Sequence, residues 1–254
     1  WQKPEEEVYI LDASHPGGFA YLRKVFRTLK EMGFTTFKTD FMDWGLQDSK
    51  KVQRYTPGKT SVQYFIDVVE MIREEIGEES YWLGCISPFQ QMIGYVDGIR
   101  VSNDVHYNWS REGVGNMFRE MYAGQFFNNV LWQNDPDVLY LRDYTMELTE
   151  EERISIALYD GIMGGVVNTS CRFHTLSEAQ LELWHFLEPG EDHVVAELPG
   201  WGVYDDFVKV LRSYPEESAK ALLLVNTSDE TMERDLDLSG LAGWGDIHVY
   251  EWGP

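Results

Sequence analysis

A β-strand is predicted for Thr35-Thr-Phe-Lys-Thr-Asp40, because β-branched and aromatic residues dominate this stretch. A helix is predicted over about 60–76, where Gly77 gives a stop signal, and a further strand follows at Tyr81-Trp-Leu-Gly-Cys85. A strand, a helix and a strand in this order indicate parallel strands joined by a right-handed crossover. This segment therefore predicts an α/β fold.

The same rhythm continues on both sides of that segment, and we count six strand–helix units in all. The other predicted strands are 8–12, 97–102, 129–134 and 164–168, and the other predicted helices cover about 19–32, 113–127, from Thr149 onward, and 177–187. Polar residues collect at the carboxyl ends of the strands, which is where a (β/α)₈ TIM-type barrel carries its active site. We favour this barrel over an open doubly wound sheet, since the chain has no G-x-G-x-x-G or Walker sequence.

The pattern changes after about residue 190, where Pro-Gly pairs precede short alternating runs. Strands are predicted at 221–225, 232–238 and 246–252. We therefore divide the chain into a partial (β/α) catalytic barrel over 1–190, and a linker with a C-terminal β-sandwich-like domain over 191–254.

Charge and composition exclude several classes of function. The chain has 254 residues and a net charge of −22, which argues against nucleic acid or an anionic membrane as a partner. Its two cysteines, Cys85 and Cys171, are too few for a disulfide framework, and we predict free thiols. Free thiols favour a cytoplasmic location, and secretion stays open as the alternative. The histidines are too scattered for a metal site, so we assign no metal. No apolar run approaches the roughly 20 residues of a membrane span.

Two pairs of charged residues carry the chemical signal. Alternation places Lys38 and Asp40 on one face at the end of a strand, and Arg100 precedes Asp104 by four residues near the end of another. Inside a barrel, such charges must pair with each other or with a ligand. Two carboxylates at neighbouring strand ends suffice for glycoside hydrolysis. A structural ion pair at Lys38, and a helix cap or turn at Asp104, are the plainer alternatives.

Aromatic residues near these points favour a sugar ligand, because the apolar faces of sugar rings stack on aromatic rings. Trp44 and Trp109 are the candidates for this contact. Core packing is the competing explanation for any tryptophan, and we expect Trp82, which lies within a strand, in the core.

Two functions of other classes stay open. Lys38 on a barrel strand could act as the nucleophile of a Schiff-base lyase. The chain could also be a catalytically inactive carbohydrate-binding barrel. A serine hydrolase is disfavoured, because neither Ser102 nor Ser170 lies in an elbow motif.

Five motifs in order resemble the α-galactosidase (melibiase) family 36 of glycoside hydrolases. They are Leu11-Asp-Ala-Ser-His-Pro16, Phe37-Lys-Thr-Asp-Phe41, Gly84-Cys-Ile-Ser-Pro88, Val96-Asp-Gly-Ile-Arg-Val-Ser-Asn-Asp104 and Trp132-Gln-Asn-Asp-Pro-Asp137. The resemblance spans roughly residues 8–190, and the β-rich tail stands in the place of the family's C-terminal domain.

The resemblance implies a retaining, cofactor-free hydrolase that removes terminal α-linked galactose from oligosaccharides or glycoconjugates. Asp40 matches the family's nucleophile and Asp104 its acid/base. Lys38 and Arg100 match residues that hold sugar hydroxyls, and Cys85 matches a pocket position near the second carbon. The family also contains α-N-acetylgalactosaminidases, so this activity or a galactosaminidase is the alternative, and its members are often homo-oligomers.

The chain departs from the family pattern in two places. Ser170-Cys-Arg-Phe-His174 stands where family members usually carry acidic residues, which could change what the site accepts. The six units also fit units three to eight of the barrel, and an open barrel would expose a long strand edge. We therefore expect an upstream segment or a second polypeptide to complete the barrel. By the same resemblance, Asp135 and Asp137 look structural, as residues of an Asp-Pro turn.

Overall fold

The computed structural model describes residues 10–48, 52–187, 207–214 and 219–235. Its helices are α1 (Pro16–Glu31), α2 (Ser61–Ile76), α3 (Phe89–Met92), α4 (Val114–Ala123), α5 (Glu150–Met163) and α6 (Glu178–Leu187). Its strands are β1 (Thr36–Thr39), β2 (Tyr81–Gly84), β3 (Gly98–Arg100), β4 (Gln133–Asp135), β5 (Val138–Leu139), β6 (Asn168–Thr169), β7 (Phe207–Tyr214) and β8 (Ala219–Asn226). Short 3₁₀ helices cover Met42–Leu46 and Phe173–Thr175.

The parallel strand order confirms the prediction of strand–helix units. Strands β1 to β4 form a four-stranded parallel sheet in chain order, and β5 pairs with β6, also in parallel. Within the described ranges, β1 pairs with β2 alone, so its other edge is open. The structure therefore shows part of a parallel array rather than a closed barrel.

Helix α2 and the start of α5 agree with the sequence signals, whereas α1 begins at Pro16 rather than 19 and α4 ends at Ala123 rather than 127. Capping boxes open α2 at Thr60 with Gln63, and α5 at Thr149 with Glu152. Gly164 ends α5 in the left-handed conformation that glycine adopts without cost. Helices α1 and α2 pack side by side against the four-stranded sheet, whose core includes the fully buried Trp82, as predicted.

Three predicted strands differ from the observed ones. Residues 10–12 form no strand, because Asp12 instead accepts hydrogen bonds from the backbone N–H groups of Ser14 and Tyr55; residues 8–9 lie outside the described part. The strand predicted at 129–134 begins only at Gln133, since Asn129 takes a left-handed turn with φ of 57°. The strand predicted at 164–168 is reduced to β6, because Gly164 still belongs to the end of α5.

The tail contributes a β-hairpin that packs on α5. Strands β7 and β8 are antiparallel, and β8 confirms the strand predicted at 221–225. Val208, Val210 and Val225 join the core around α4 and α5, and the Arg212 guanidinium donates to the Gly161 carbonyl at 2.7 Å. Residues 232–235 form no strand, and the remainder of the predicted 232–238 strand and all of 246–252 lie outside the described part. The domain boundary near residue 190 stays a prediction.

Among the described helices, none combines the length and the apolar character needed to cross a bilayer.

Candidate active site

The carboxyl ends of β1 to β4 bring the predicted charged residues to one edge of the sheet. Strand register sets Lys38 opposite Leu83 and Arg100 opposite Asp135. Because parallel strands all end on the same side, the residues that follow them converge there. Asp40, Cys85 and Asp104 follow β1, β2 and β3 directly or within a few residues.

The two predicted catalytic carboxylates flank one Cys–Arg pair. The Cys85 thiol donates a hydrogen bond to the Asp40 carboxylate. Arg100 Nη1 contacts Cys85 Sγ at 4.0 Å, and Arg100 Nη2 donates to Asp104 Oδ1 at 2.9 Å. A continuous path of contacts therefore links Asp40 to Asp104 through Cys85 and Arg100.

The residues along this path differ in their exposure to solvent. The Arg100 side chain is 6% exposed and the Asp104 side chain 81% exposed, while Cys85 is buried. Burial, and then the hydrogen bond to Asp40, raise the pKa of Cys85 to about 11. The thiol is thus protonated at neutral pH, and it acts as a donor to Asp40 rather than as a nucleophile.

Lys38 does not form an ion pair with Asp40, which was one of the two arrangements that the sequence left open. Among the described residues, the ion-pair partner of Lys38 is Asp135, whose Oδ2 lies 3.9 Å from Lys38 Nζ. Lys38 lies within β1, whereas Asp40 lies beyond its last residue, where Phe41 takes a left-handed φ of 53° and the chain turns into a 3₁₀ helix. The turn redirects Asp40, so that strand alternation no longer applies to it.

Two further carboxylates, those of Asp135 and Asp137, lie at the end of β4 and just after it. Asp135 is completely buried, and its Oδ1 accepts hydrogen bonds from the Asp137 backbone N–H at 2.9 Å and from Asn168 Nδ2 at 3.1 Å. Burial raises the pKa of Asp135 against the opposing effect of Lys38 and Arg100. Asp137 Oδ2 lies 2.9 Å from Arg100 Nη2. The Asp-Pro turn expected from the sequence is present, and it also holds the two cations of the site.

Sequence reasoning missed this ionic role, and it missed Asp160 entirely. Asp160 lies in α5, is 3% exposed, and has an Oδ1 with no hydrogen-bond partner among the described residues. Burial, together with the charges of Asp135 and Asp137, raises the pKa of Asp160 well above its ordinary value. The position of Asp135 at the end of a predicted strand could have indicated that it lies near Arg100. Asp160 lies in a helix, and nothing in the surrounding sequence indicates that it faces the site.

Replacing Asp160 with Asn should make stability less dependent on pH. The unfolded chain loses the Asp160 proton at its ordinary pKa, whereas the folded chain keeps it to higher pH, so wild-type stability falls as pH rises between these values, by at most about 1.4 kcal/mol per pH unit. The melting temperature of Asp160→Asn relative to wild type should therefore increase from pH 5 to pH 8. A difference that stays constant over this range would contradict a buried neutral carboxyl.

Trp44 and Trp109, the two predicted sugar-stacking residues, lie in different surroundings. Trp44 lies in the 3₁₀ helix just after Asp40, with its ring 5.5 Å from that of Phe41, so its role in binding a sugar stays a prediction. Trp109 packs against Phe118, at 5.6 Å between ring centroids, and its indole N–H donates to the Thr227 carbonyl at 3.2 Å. This ring is held between α4 and the β-hairpin, which favours the core role over the sugar-binding role that we predicted.

Three solved structures that match much of this chain are glycosidases by name. An α-galactosidase from Thermus thermophilus, in complex with p-nitrophenyl α-D-galactopyranoside, matches 80% of this chain with a TM-score of 0.62 and 23% identity. α-Galactosidase I from Mortierella vinacea matches 82% with a TM-score of 0.59 and 13% identity. An isomalto-dextranase from Arthrobacter globiformis, complexed with panose, matches 80% with a TM-score of 0.51 and 16% identity.

The chain has part of the fold of these α-galactosidases. This likeness confirms that the resemblance predicted from the five motifs extends to the structure. The chain spans 41% of the length of the Thermus enzyme, 56% of the Mortierella enzyme and 40% of the isomalto-dextranase. No known protein-family profile matches this sequence.

Proposed function

We propose that the protein containing this chain is a retaining glycoside hydrolase, which removes terminal α-linked galactose from oligosaccharides or glycoconjugates. The observation that carries the proposal is the path from Asp40 through Cys85 and Arg100 to Asp104 at the carboxyl edge of the sheet. The fold shared with α-galactosidases supports it.

In the first step, the Asp40 carboxylate attacks the anomeric carbon and forms a covalent glycosyl ester. Asp104 donates its proton to the glycosidic oxygen, so that the bond to the leaving group breaks and the aglycone departs as a neutral alcohol. In the second step, Asp104, now ionised, takes a proton from water, whose oxygen attacks the anomeric carbon and releases Asp40. Two inversions leave the anomeric configuration unchanged.

Both carboxylates are exposed, and their contacts fit this division of labour. Asp104 reaches solvent, as a residue that protonates leaving groups and activates water must. Asp40 is held by the Cys85 thiol and by the Phe41 backbone N–H, which donates to its Oδ1 at 2.8 Å. Two donors fix the orientation of this carboxylate, which favours a nucleophile that must meet one carbon atom.

Lys38, Arg100 and Cys85 are the proposed contacts for the sugar hydroxyls, and Trp44 the proposed stacking partner. An α-N-acetylgalactosaminidase or galactosaminidase would use the same two carboxylates and differ around the second carbon. The isomalto-dextranase shares the fold as well, so the fold does not select the sugar. Kinetics on matched aryl α-galactoside, α-N-acetylgalactosaminide and α-galactosaminide substrates test the choice. Our proposal expects the highest kcat/KM on the galactoside.

The same assay separates the rival classes. Turnover of none of these glycosides, with sugar binding retained in calorimetry, would favour an inactive binding barrel. Covalent trapping of a carbonyl substrate on Lys38 by borohydride would favour a Schiff-base lyase.

We also propose that an upstream segment or a second polypeptide supplies the missing strand–helix units of the barrel, on the side of β1 whose edge is open. Apolar side chains that precede β1 in the chain support the proposal, because Ile10, Leu11 and Phe34 are each about half exposed. Residues 1–254 alone should therefore show less than about a hundredth of the kcat/KM that they show when joined to these units or mixed with them. Equal activity of the isolated residues would contradict this part of the proposal.

A further inference from the structure

The loop that carries Asp104 is attached to the segment between Pro136 and Tyr140 by three hydrogen bonds. Ser102 Oγ donates to the Pro136 carbonyl at 2.9 Å, the Val105 backbone N–H donates to Asp137 Oδ2 at 2.9 Å, and Tyr140 Oη donates to the Val105 carbonyl at 3.1 Å. The position of Asp104 therefore depends on a segment that belongs to another strand.

A single oxygen of Asp137 holds Asp104 from two directions. Asp137 Oδ2 lies 2.9 Å from Arg100 Nη2, the same nitrogen that donates to Asp104 Oδ1, and it also accepts from Val105, the residue directly after Asp104. It thus fixes both the cation that faces the Asp104 carboxylate and the peptide that follows Asp104. The Asp137 side chain is 12% exposed.

The backbone at Asp137 is itself unusual. Its φ is 83°, a conformation that side chains other than glycine rarely adopt, and its N–H donates to the buried Asp135 at 2.9 Å. Strained residues that the surrounding structure holds in place cluster at functional sites. The conformation at 137 aims Oδ2 at Arg100 and Val105 together.

We propose that Asp137 is a positioning residue, which orients Asp104 for proton transfer to the leaving group. This inference rests on the proposed function. An 81% exposed carboxylate has few contacts to fix its direction, so the Arg100–Asp137 pair and the Val105 peptide determine where its proton can be delivered. Loss of Asp137 Oδ2 as an anion weakens both constraints without touching Asp40 directly.

Asp97 provides a matched control in the same sheet. Its Oδ2 also pairs with an arginine, Arg73 Nη2 at 2.9 Å, and also accepts from a backbone N–H, that of Trp82 at 2.8 Å. Asp97 precedes β3, whereas Asp104 follows it, so it lies at the opposite end of the strand from the site. Asp97→Asn therefore removes the same kind of ionic contact away from Asp104.

The test compares the full-length wild type, Asp137→Asn and Asp97→Asn on two substrates. One is an aryl α-galactoside with an activated leaving group, and the other an α-galactosyl oligosaccharide, whose leaving group needs the proton. Asp137→Asn should lower kcat/KM for the oligosaccharide about 100-fold and that for the aryl galactoside by less than about 10-fold. Asp97→Asn should lower the melting temperature and leave the ratio of the two values unchanged.

Equal losses of Asp137→Asn on both substrates would overturn the inference. If Asp137→Asn does not fold, Tyr140→Phe decides, because it removes the bond to the carbonyl of Val105, the residue whose backbone N–H donates to Asp137. A selective loss on the oligosaccharide then supports the inference, and an unchanged ratio overturns it. A wild type inactive on both substrates refutes the proposed function instead, which keeps the two failures distinct.

Discussion

Asp40→Asn in the full-length protein should lower kcat for an aryl α-galactoside by about 10⁴-fold or more. Asparagine keeps the size of the side chain and can still accept from Cys85 and from the Phe41 N–H, but its amide does not form the glycosyl ester. Folding should be retained, which thermal unfolding can check. The control is Asp67→Asn, which removes an ion pair between Asp67 on α2 and Lys59. This variant should keep nearly full activity.

Azide gives this experiment a second readout. In Asp40→Ala, azide can enter the space left by the carboxylate and attack the anomeric carbon directly, so that the product is the β-galactosyl azide, formed with one inversion. Residual activity within about tenfold of wild type in Asp40→Asn, or recovery without a β-azide product, would argue against Asp40 as the nucleophile.

Asp104→Ala should separate substrates by their leaving groups. Loss of the proton donor should lower kcat/KM for an α-galactosyl oligosaccharide by about 10²- to 10⁴-fold, and that for an activated aryl galactoside much less, because the aryl leaving group departs without protonation. Measurement of both substrates on one preparation gives the ratio directly.

The product of azide rescue identifies the role of Asp104. With the nucleophile intact, azide attacks the glycosyl-enzyme, and two inversions yield the α-galactosyl azide. The same loss on both classes of substrate, or a β-azide product, would remove the acid/base assignment. Asp67→Asn again serves as the control for a lost carboxylate outside the site.

Local signals in the sequence account for much of the fold. The start signals at Thr60 and Thr149 and the stop signal at Gly77 were sufficient to place α2 and the beginning of α5, because helix ends depend on nearby side chains, whereas Gly164, which ends α5, was assigned to a strand. The strand at 129–134 was placed too early because Asn129 reverses the chain, and neither residue composition nor alternation indicates that turn.

In the site, too, local signals predicted some features and missed those that depend on distant parts of the chain. Asp40, Cys85, Arg100 and Asp104 could be grouped from their positions at strand ends, since parallel strands deliver such residues to one edge. The partner of Lys38 could not, because it depends on the relative positions of β1 and β4, which are separated by two further strands. The double contact of Asp137 likewise depends on a loop and a turn meeting in space.

Covalent labelling of the nucleophile tests the proposed mechanism most directly. The full-length protein is treated with 5-fluoro-α-galactosyl fluoride, whose activated leaving group allows the first step while the added fluorine slows the second. Digestion and mass spectrometry should find one fluorogalactosyl group, on the peptide that contains Asp40 and at that side chain. A label on Asp104 or Asp135, or consumption of the reagent with no covalent adduct, would show that Asp40 is not the nucleophile.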